Sequence, residues 1–242
     1  MNQSELEKIL KNITESKDCS SSYTAEQIRE IFLSLHELSV NPICYSSEGL
    51  DKLLSINYAV DKTTSFSELE RKYGAQEFWI PSFIGVPAFQ SPYPDIMNFF
   101  HQTHPKKSQV VYDLGSGFGR VVFYGGLVTD AFIKGVEIVP ARVEECNRIK
   151  ENLKLENISF IQANVLDVDI SDGDIFFMYH PFSRETGHNV FEKLKKVSEQ
   201  KPITVAVNLR VHGLNKSREW LKLMYSQYQE VDVSGIKIFS SK

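Results

Sequence analysis

Cysteine is scarce in this 242-residue chain: Cys19, Cys44 and Cys146 are odd in number, far apart and without metal-ligand spacing. That excludes a disulfide framework and offers no metal site, so free thiols in a reducing compartment are expected, with Cys146 a packing residue. Long apolar runs are missing as well. No window approaches the roughly 20 apolar residues of a membrane span. The first stretch, MNQSELEKILKNITESKD, is too polar for a secretory leader, so the expectation is a soluble, cytoplasmic chain with no membrane partner. Excess positive charge is absent too: 27 Lys and Arg against 31 Asp and Glu give a formal net charge of −4. That balance argues against a general nucleic-acid binder, though it leaves room for a local basic patch. There is no low-complexity tract and no internal repeat. What remains is an ordinary globular composition, 42% hydrophobic and 24% charged, which can build a core without disulfides or metal.

The N-terminal part, residues 1–75, reads as helical. Leu6, Ile9, Leu10 and Ile13 share one helical face, and Thr24 with Gln27 forms a capping box before the stripe Ile28, Ile31, Phe32, Leu35, Leu38. Asn41-Pro42 ends that helix. A third helix is expected from about Glu48 to Val60 and a fourth from about Ser65 to Tyr73. These stripes imply packing against one another or against the domain that follows.

Residues 76–108 differ in character. FWIPSFIGVPAFQSPYP carries four prolines among aromatics, which forbids a long helix and does not suit a solvated linker. An ordered loop over the next domain is expected, followed by a helix from Pro94 to just before His104-Pro105. Trp79, Phe83, Phe89 and Tyr93 are its candidate lid residues, able to cover a ligand or line a channel for a cationic acceptor.

From 109 to 242 strands and helices alternate. Apolar runs at 110–114, 132–138, 158–163, 174–179 and 203–209 are separated by helical stretches near 119–129, 140–154, 184–200 and 217–228. The tail QEVDVSGIKIFSS reads as two strands around Ser234-Gly235. The pattern predicts an α/β domain with a doubly wound, mostly parallel seven-strand sheet and helices on both faces.

The segment VVYDLGSGFGR closes the first strand and opens a helix. Gly115, Gly117 and Gly119 allow a sharp turn and close approach of a ligand to backbone N–H groups, with Ser116 inside the turn and Asp113 at the strand end. The dinucleotide frame G-x-G-x-x-G fails because Arg120 stands where its third glycine should be. An acid beside the turn suits the ammonium of an amino-acid moiety better than a pyrophosphate.

This segment resembles motif I of the class I, seven-strand, S-adenosylmethionine-dependent methyltransferases. The resemblance covers about residues 109–242, with the loop and helix before them. It implies S-adenosyl-L-methionine as cofactor and a Rossmann-like fold. It places Glu137, twenty residues after Gly117, on the ribose hydroxyls, which a carboxylate can accept together. It places Asn164 on the adenine amino group, where the family commonly has aspartate, and the backbone N–H of Val165 on the ring.

After the fourth strand comes Tyr179-His180-Pro181-Phe182. It is similar to the Asn-Pro-Phe variants of the acceptor loop in small bacterial class I proteins, and more loosely to the equivalent loop of the seven-strand histone lysine methyltransferases. The resemblance makes His180, Pro181 and Phe182 the catalytic candidates: His180 accepting a hydrogen bond or a proton, Phe182 walling the acceptor pocket. The expected activity is methyl transfer to a nitrogen or oxygen nucleophile, a protein lysine among them. Small-molecule methylation and a non-catalytic S-adenosylmethionine-binding module that recruits a partner are the alternatives.

Overall fold

The structure is a computed structural model. It describes residues 1–15, 23–38, 46–73, 90–179, 182, 184–208 and 236–240. The N-terminal helices are α1 (Gln3–Glu15), α2 (Ala25–Leu38), α3 (Ser47–Leu54), the single turn α4 (Val60–Thr63) and α5 (Phe66–Tyr73). Then follow α6 (Tyr93–Thr103), β1 (Val110–Leu114), α7 (Arg120–Val128), β2 (Phe132–Glu137), α8 (Pro140–Leu153) and β3 (Ile158–Gln162). A 3-10 turn (Val165–Asp167), β4 (Ile175–Met178), α9 (Arg184–Ser198), β5 (Thr204–Asn208) and β6 (Ile236–Ser240) complete the described elements.

The capping box forms as expected: Thr24 N–H donates to Gln27 Oε1 at 2.8 Å and Gln27 N–H to Thr24 Oγ1 at 3.2 Å. Helix α6 carries proline in its first turn and ends at left-handed His104 (φ 40°). The third helix stops earlier than its pattern suggests. It closes at Leu54 with Ser55 left-handed (φ 56°), and the chain doubles back so that the Tyr58 hydroxyl reaches Asp51 at 2.6 Å. A helix continued to Val60 would carry Tyr58 two turns away from Asp51.

The sheet has the order β3-β2-β1-β4-β5-β6, parallel except for β6, which runs antiparallel to β5 with Asn208 opposite Ile236. Six strands are found among the described residues. The expected strand before Ser234-Gly235 and the helix at 217–228 lie outside them. The central strands β1, β4 and β5 are mostly apolar and buried, and alternate residues go to opposite cores. Val111, Ile133, Ile175, Phe177 and Ala206 join the cluster that includes Leu6, Leu10, Ile31, Phe32, Leu50, Phe100 and Tyr124. Tyr112, Leu114, Val136, Phe176, Met178, Val205 and Val207 join Val190, Phe191 and Leu194 of α9. Helices α1, α2 and α3 therefore share a core with α7 and one sheet face, and each fully buried Leu or Phe there stabilises the assembly by about 1.5–3 kcal/mol.

Candidate functional site

Strand order reverses between β1 and β4, since β2 and β3 lie on one side of β1 and β4 and β5 on the other. At such a switch point the loops leaving the strand ends part and open a crevice. A small cleft lies there, lined by Gln90, Ser91, Asp113, Gly115, Ser116, Gly117, Arg120, Val121 and Tyr179.

The glycine turn takes the backbone its residues allow: Gly115, Gly117 and Gly119 all have positive φ (89°, 54° and 77°). Gly119 also provides the close helix–strand contact, since a Cβ there would stand 2.8 Å from Phe160 Cε1. Arg120 does not obstruct that contact, because its side chain turns toward the N-terminal helices.

One expectation is corrected. The N–H groups of the turn are not bare. Those of Gly115 and Ser116 both donate to the Val136 carbonyl at 2.9 Å, that of Gly119 to the Ser116 carbonyl at 2.8 Å, and that of Gly117 to Glu137 Oε2 at 2.8 Å. The turn's N–H groups at Gly115, Ser116, Gly117 and Gly119 are thus already used within the protein. Two side-chain atoms by the turn, Ser116 Oγ and Gln90 Nε2, are buried and have no hydrogen-bond partner among the described residues. Unpaired buried polar atoms are costly and call for a partner, an ordered water or a ligand.

Asp113 is buried at the end of β1. Burial first, and the neighbouring Glu137 second, push its carboxyl up to about 8. Glu137 ends β2 and bridges two loops, with Oε2 on Gly117 N–H and Oε1 on Val139 N–H at 2.9 Å, and Arg142 Nη1 3.7 Å away. Cys146 packs beneath the turn, its Sγ 3.8 Å from the Gly117 carbonyl, and burial followed by the surrounding carboxylates pushes its thiol well up. It is an inert packed thiol, as its sequence position suggested.

The remaining candidates separate. Asn164 Oδ1 accepts from Leu166 N–H at 2.9 Å and caps the 3-10 turn, so one of its lone pairs is already used. Val165 is buried beside it, and its carbonyl accepts from Lys193 Nζ at 3.3 Å. His180 and Pro181 lie outside the described residues. Phe182 packs, half-buried, on the sheet face covered by α9 and does not line the cleft. Tyr179, immediately after β4, does line it. Tyr179 therefore lies on the cleft side, and Phe182 packs with the cluster under α9. Of the lid residues, Trp79, Phe83 and Phe89 fall outside the described residues. Tyr93 is a core residue: it is fully buried, its hydroxyl donates to Asp51 at 3.2 Å and its ring lies 5.4 Å from the Arg120 guanidinium. The cation over Tyr93 is the protein's own.

The sequence reading did not find the Arg120–Asp51 pair. Arg120 Nε donates to Asp51 Oδ1 at 2.7 Å, Nη2 donates to Oδ2, and Nη1 donates to the Ser91 carbonyl at 3.1 Å. Two signals pointed to it. An arginine in the first turn of a helix opposes the macrodipole, and Asp51 sits among the buried Leu50, Leu53 and Leu54 of α3. Each signal calls for a partner; neither says which.

No protein-family model matches the chain, and no curated protein does. Among solved structures, it is similar to an RNA methyltransferase from Salinibacter ruber in complex with S-adenosyl-L-homocysteine (19% identity, 62% of this chain and 92% of that one, TM-score 0.46). A SAM-dependent methyltransferase from Aquifex aeolicus aligns at 15% identity (61% and 88%, TM-score 0.47). A precorrin-6y C5,15-methyltransferase from Geobacter metallireducens aligns at 17% (61% and 86%, TM-score 0.46). All three are methyltransferases. The mostly parallel sheet, the glycine turn after β1 and the acid ending β2 stand where the class I methyltransferase resemblance led one to expect them. No helix among the described residues is long and apolar enough to cross a membrane.

Proposed function

We propose that this chain binds S-adenosyl-L-methionine in the switch-point cleft and transfers its methyl group to a nitrogen or oxygen nucleophile. The observation that carries this reading is the pair of buried, unpartnered polar atoms, Ser116 Oγ and Gln90 Nε2, facing the same cleft as the buried acid Asp113. An α-amino acid group matches that set: its ammonium suits Asp113, and its carboxylate suits a hydroxyl and an amide N–H. Gly117 keeps the cleft open, since a Cβ there would project to 3.4 Å from Gln90 Nε2. Glu137 retains lone pairs for ribose hydroxyls beyond the two backbone bonds it accepts. Asn164 and Val165, at the end of β3, are the adenine-side residues in this reading.

When bound, the cofactor supplies an electrophilic methyl carbon, so the protein's main contribution is to align the acceptor. Tyr179 at the cleft edge and His180 next to it are the residues proposed to position that acceptor, with His180 able to take up its proton. Phe182 is left with packing. A nucleic-acid acceptor stays within this proposal, because the whole-chain charge does not describe the surface beside the cleft.

Thermal unfolding with and without millimolar S-adenosyl-L-homocysteine, with NADH in parallel, tests the cofactor. A ligand that binds only the folded state raises the midpoint. A shift with NADH alone, or with neither, removes the proposal. Labelled methyl transfer into a fractionated lysate then sorts the acceptor into protein, nucleic acid or small molecule, and His180→Ala is expected to depress that transfer without weakening S-adenosyl-L-homocysteine binding.

A further inference from the structure

Two arginines flank the proposed cofactor site, and aspartates of the N-terminal segment neutralise both. Arg120 lines the cleft and is paired with Asp51 of α3. Arg142, 3.7 Å from Glu137, is held by Asp61 of α4 through two bonds of 2.9 Å. The Asp51 pair is the more deeply enclosed: Asp51 is 3% and Arg120 7% exposed. Asp51 also accepts from the Tyr58 hydroxyl at 2.6 Å and the Tyr93 hydroxyl at 3.2 Å, so its oxygens are fixed from three directions. Arg120 in turn holds the Ser91 carbonyl, which sets the backbone next to Gln90, the residue with the unpartnered amide.

We propose that Asp51 is a positioning and specificity residue of the cleft: it cancels the charge of Arg120 so that the cleft accepts a cationic ligand, and through Arg120 and Ser91 it places Gln90. The inference rests on the functional reading above. Without Asp51 the cleft would share one wall between an uncompensated guanidinium and Asp113, and a ligand bearing a sulfonium would meet that charge. A unit charge acting across about 10 Å at an effective dielectric of about 20 changes affinity by roughly tenfold. S-adenosyl-L-methionine and S-adenosyl-L-homocysteine carry the same amino-acid and nucleoside parts and differ by the sulfonium methyl with its charge. Their affinity ratio therefore reports the charge of the cleft wall, and a general loosening of the fold does not mimic it.

The test is calorimetric titration of the full chain with each ligand, without acceptor, at pH 8. It compares wild type, Asp51→Asn, Arg120→Gln and the pair Asp51→Asn/Arg120→Gln. Asp51→Asn is expected to lower the methionine-to-homocysteine affinity ratio about tenfold. Arg120→Gln is expected to raise it, and the neutral pair to return it to the wild-type value. Should Asp51→Asn not fold, because a buried guanidinium has lost its partner, Arg120→Gln and the neutral pair still decide the matter. Wild type binding both ligands, with a ratio indifferent to the single changes that fold, overturns this inference alone. Wild type binding neither overturns the functional reading and this inference with it.

Discussion

Asp113 offers the sharpest quantitative test, because one buried carboxyl couples stability to ligand binding. It is 4% exposed, and burial beside Glu137 raises its carboxyl from 3.8 to about 8 in the folded protein. An unfolded chain loses that proton near the ordinary value, whereas the folded chain keeps it to about pH 8. Between those values the folded state binds more protons, so stability falls as pH rises, by about 1.4 kcal/mol per unit. Over the span from 3.8 to pH 7 the ceiling on that loss is about 4 kcal/mol. Asp113→Asn keeps the shape and cannot ionise. It is expected to gain stability over wild type as pH rises from 5 to 8, while binding S-adenosyl-L-homocysteine more weakly. In wild type, an incoming ammonium favours the carboxylate, so affinity should climb with pH toward 8 and binding should release a proton. Urea midpoints of both proteins at several pH values give the first quantity. Titration calorimetry in buffers of different ionisation enthalpy gives the second. Parallel urea curves, with the wild-type-minus-variant difference flat from pH 5 to 8, would refute the reasoning.

Gly119→Ala is expected to destabilise the fold by about 1–3 kcal/mol in denaturant melts, since its Cβ would enter the space of Phe160 at a positive φ. Gly117→Ala meets only Gln90; it should cost about 1–2 kcal/mol of backbone strain yet abolish the thermal shift with S-adenosyl-L-homocysteine. Glu137→Gln should weaken that ligand by about 1–3 kcal/mol in calorimetric titration. It should also cost some stability, because an amide N–H₂ would face Gly117 or Val139 N–H where an oxygen now accepts. His36, lowered by burial first and then by His101 and His104, resists protonation in the fold. Its contribution is therefore intact above pH 6.5 and lost as pH falls below it. His36→Gln should flatten the decline in urea midpoint between pH 6.5 and 5.

The strands were legible because burial on both faces demands short apolar runs, and β1 to β5 fall within the runs at 110–114, 132–138, 158–163, 174–179 and 203–209. The glycine turn was legible because positive φ at three alternate positions leaves a composition mark. The end of α3 was less so: nothing local forbids helix at Ser55, and the chain turns there because Tyr58 is drawn back to Asp51.

By itself the sequence determined the alternating α/β order and the position of the turn with Asp113 before it, because each depends on local periodicity or backbone conformation, while the likeness to class I methyltransferases pointed to Glu137. Only the tertiary structure decided what those acids experience. Burial made Asp113 hard to ionise, and packing on β2 consumed the N–H groups of the turn. Folding brought Asp51 across 69 residues of chain to Arg120. Pairings at that distance obey charge and desolvation, which act through space, and the chain between the partners carries no trace of them.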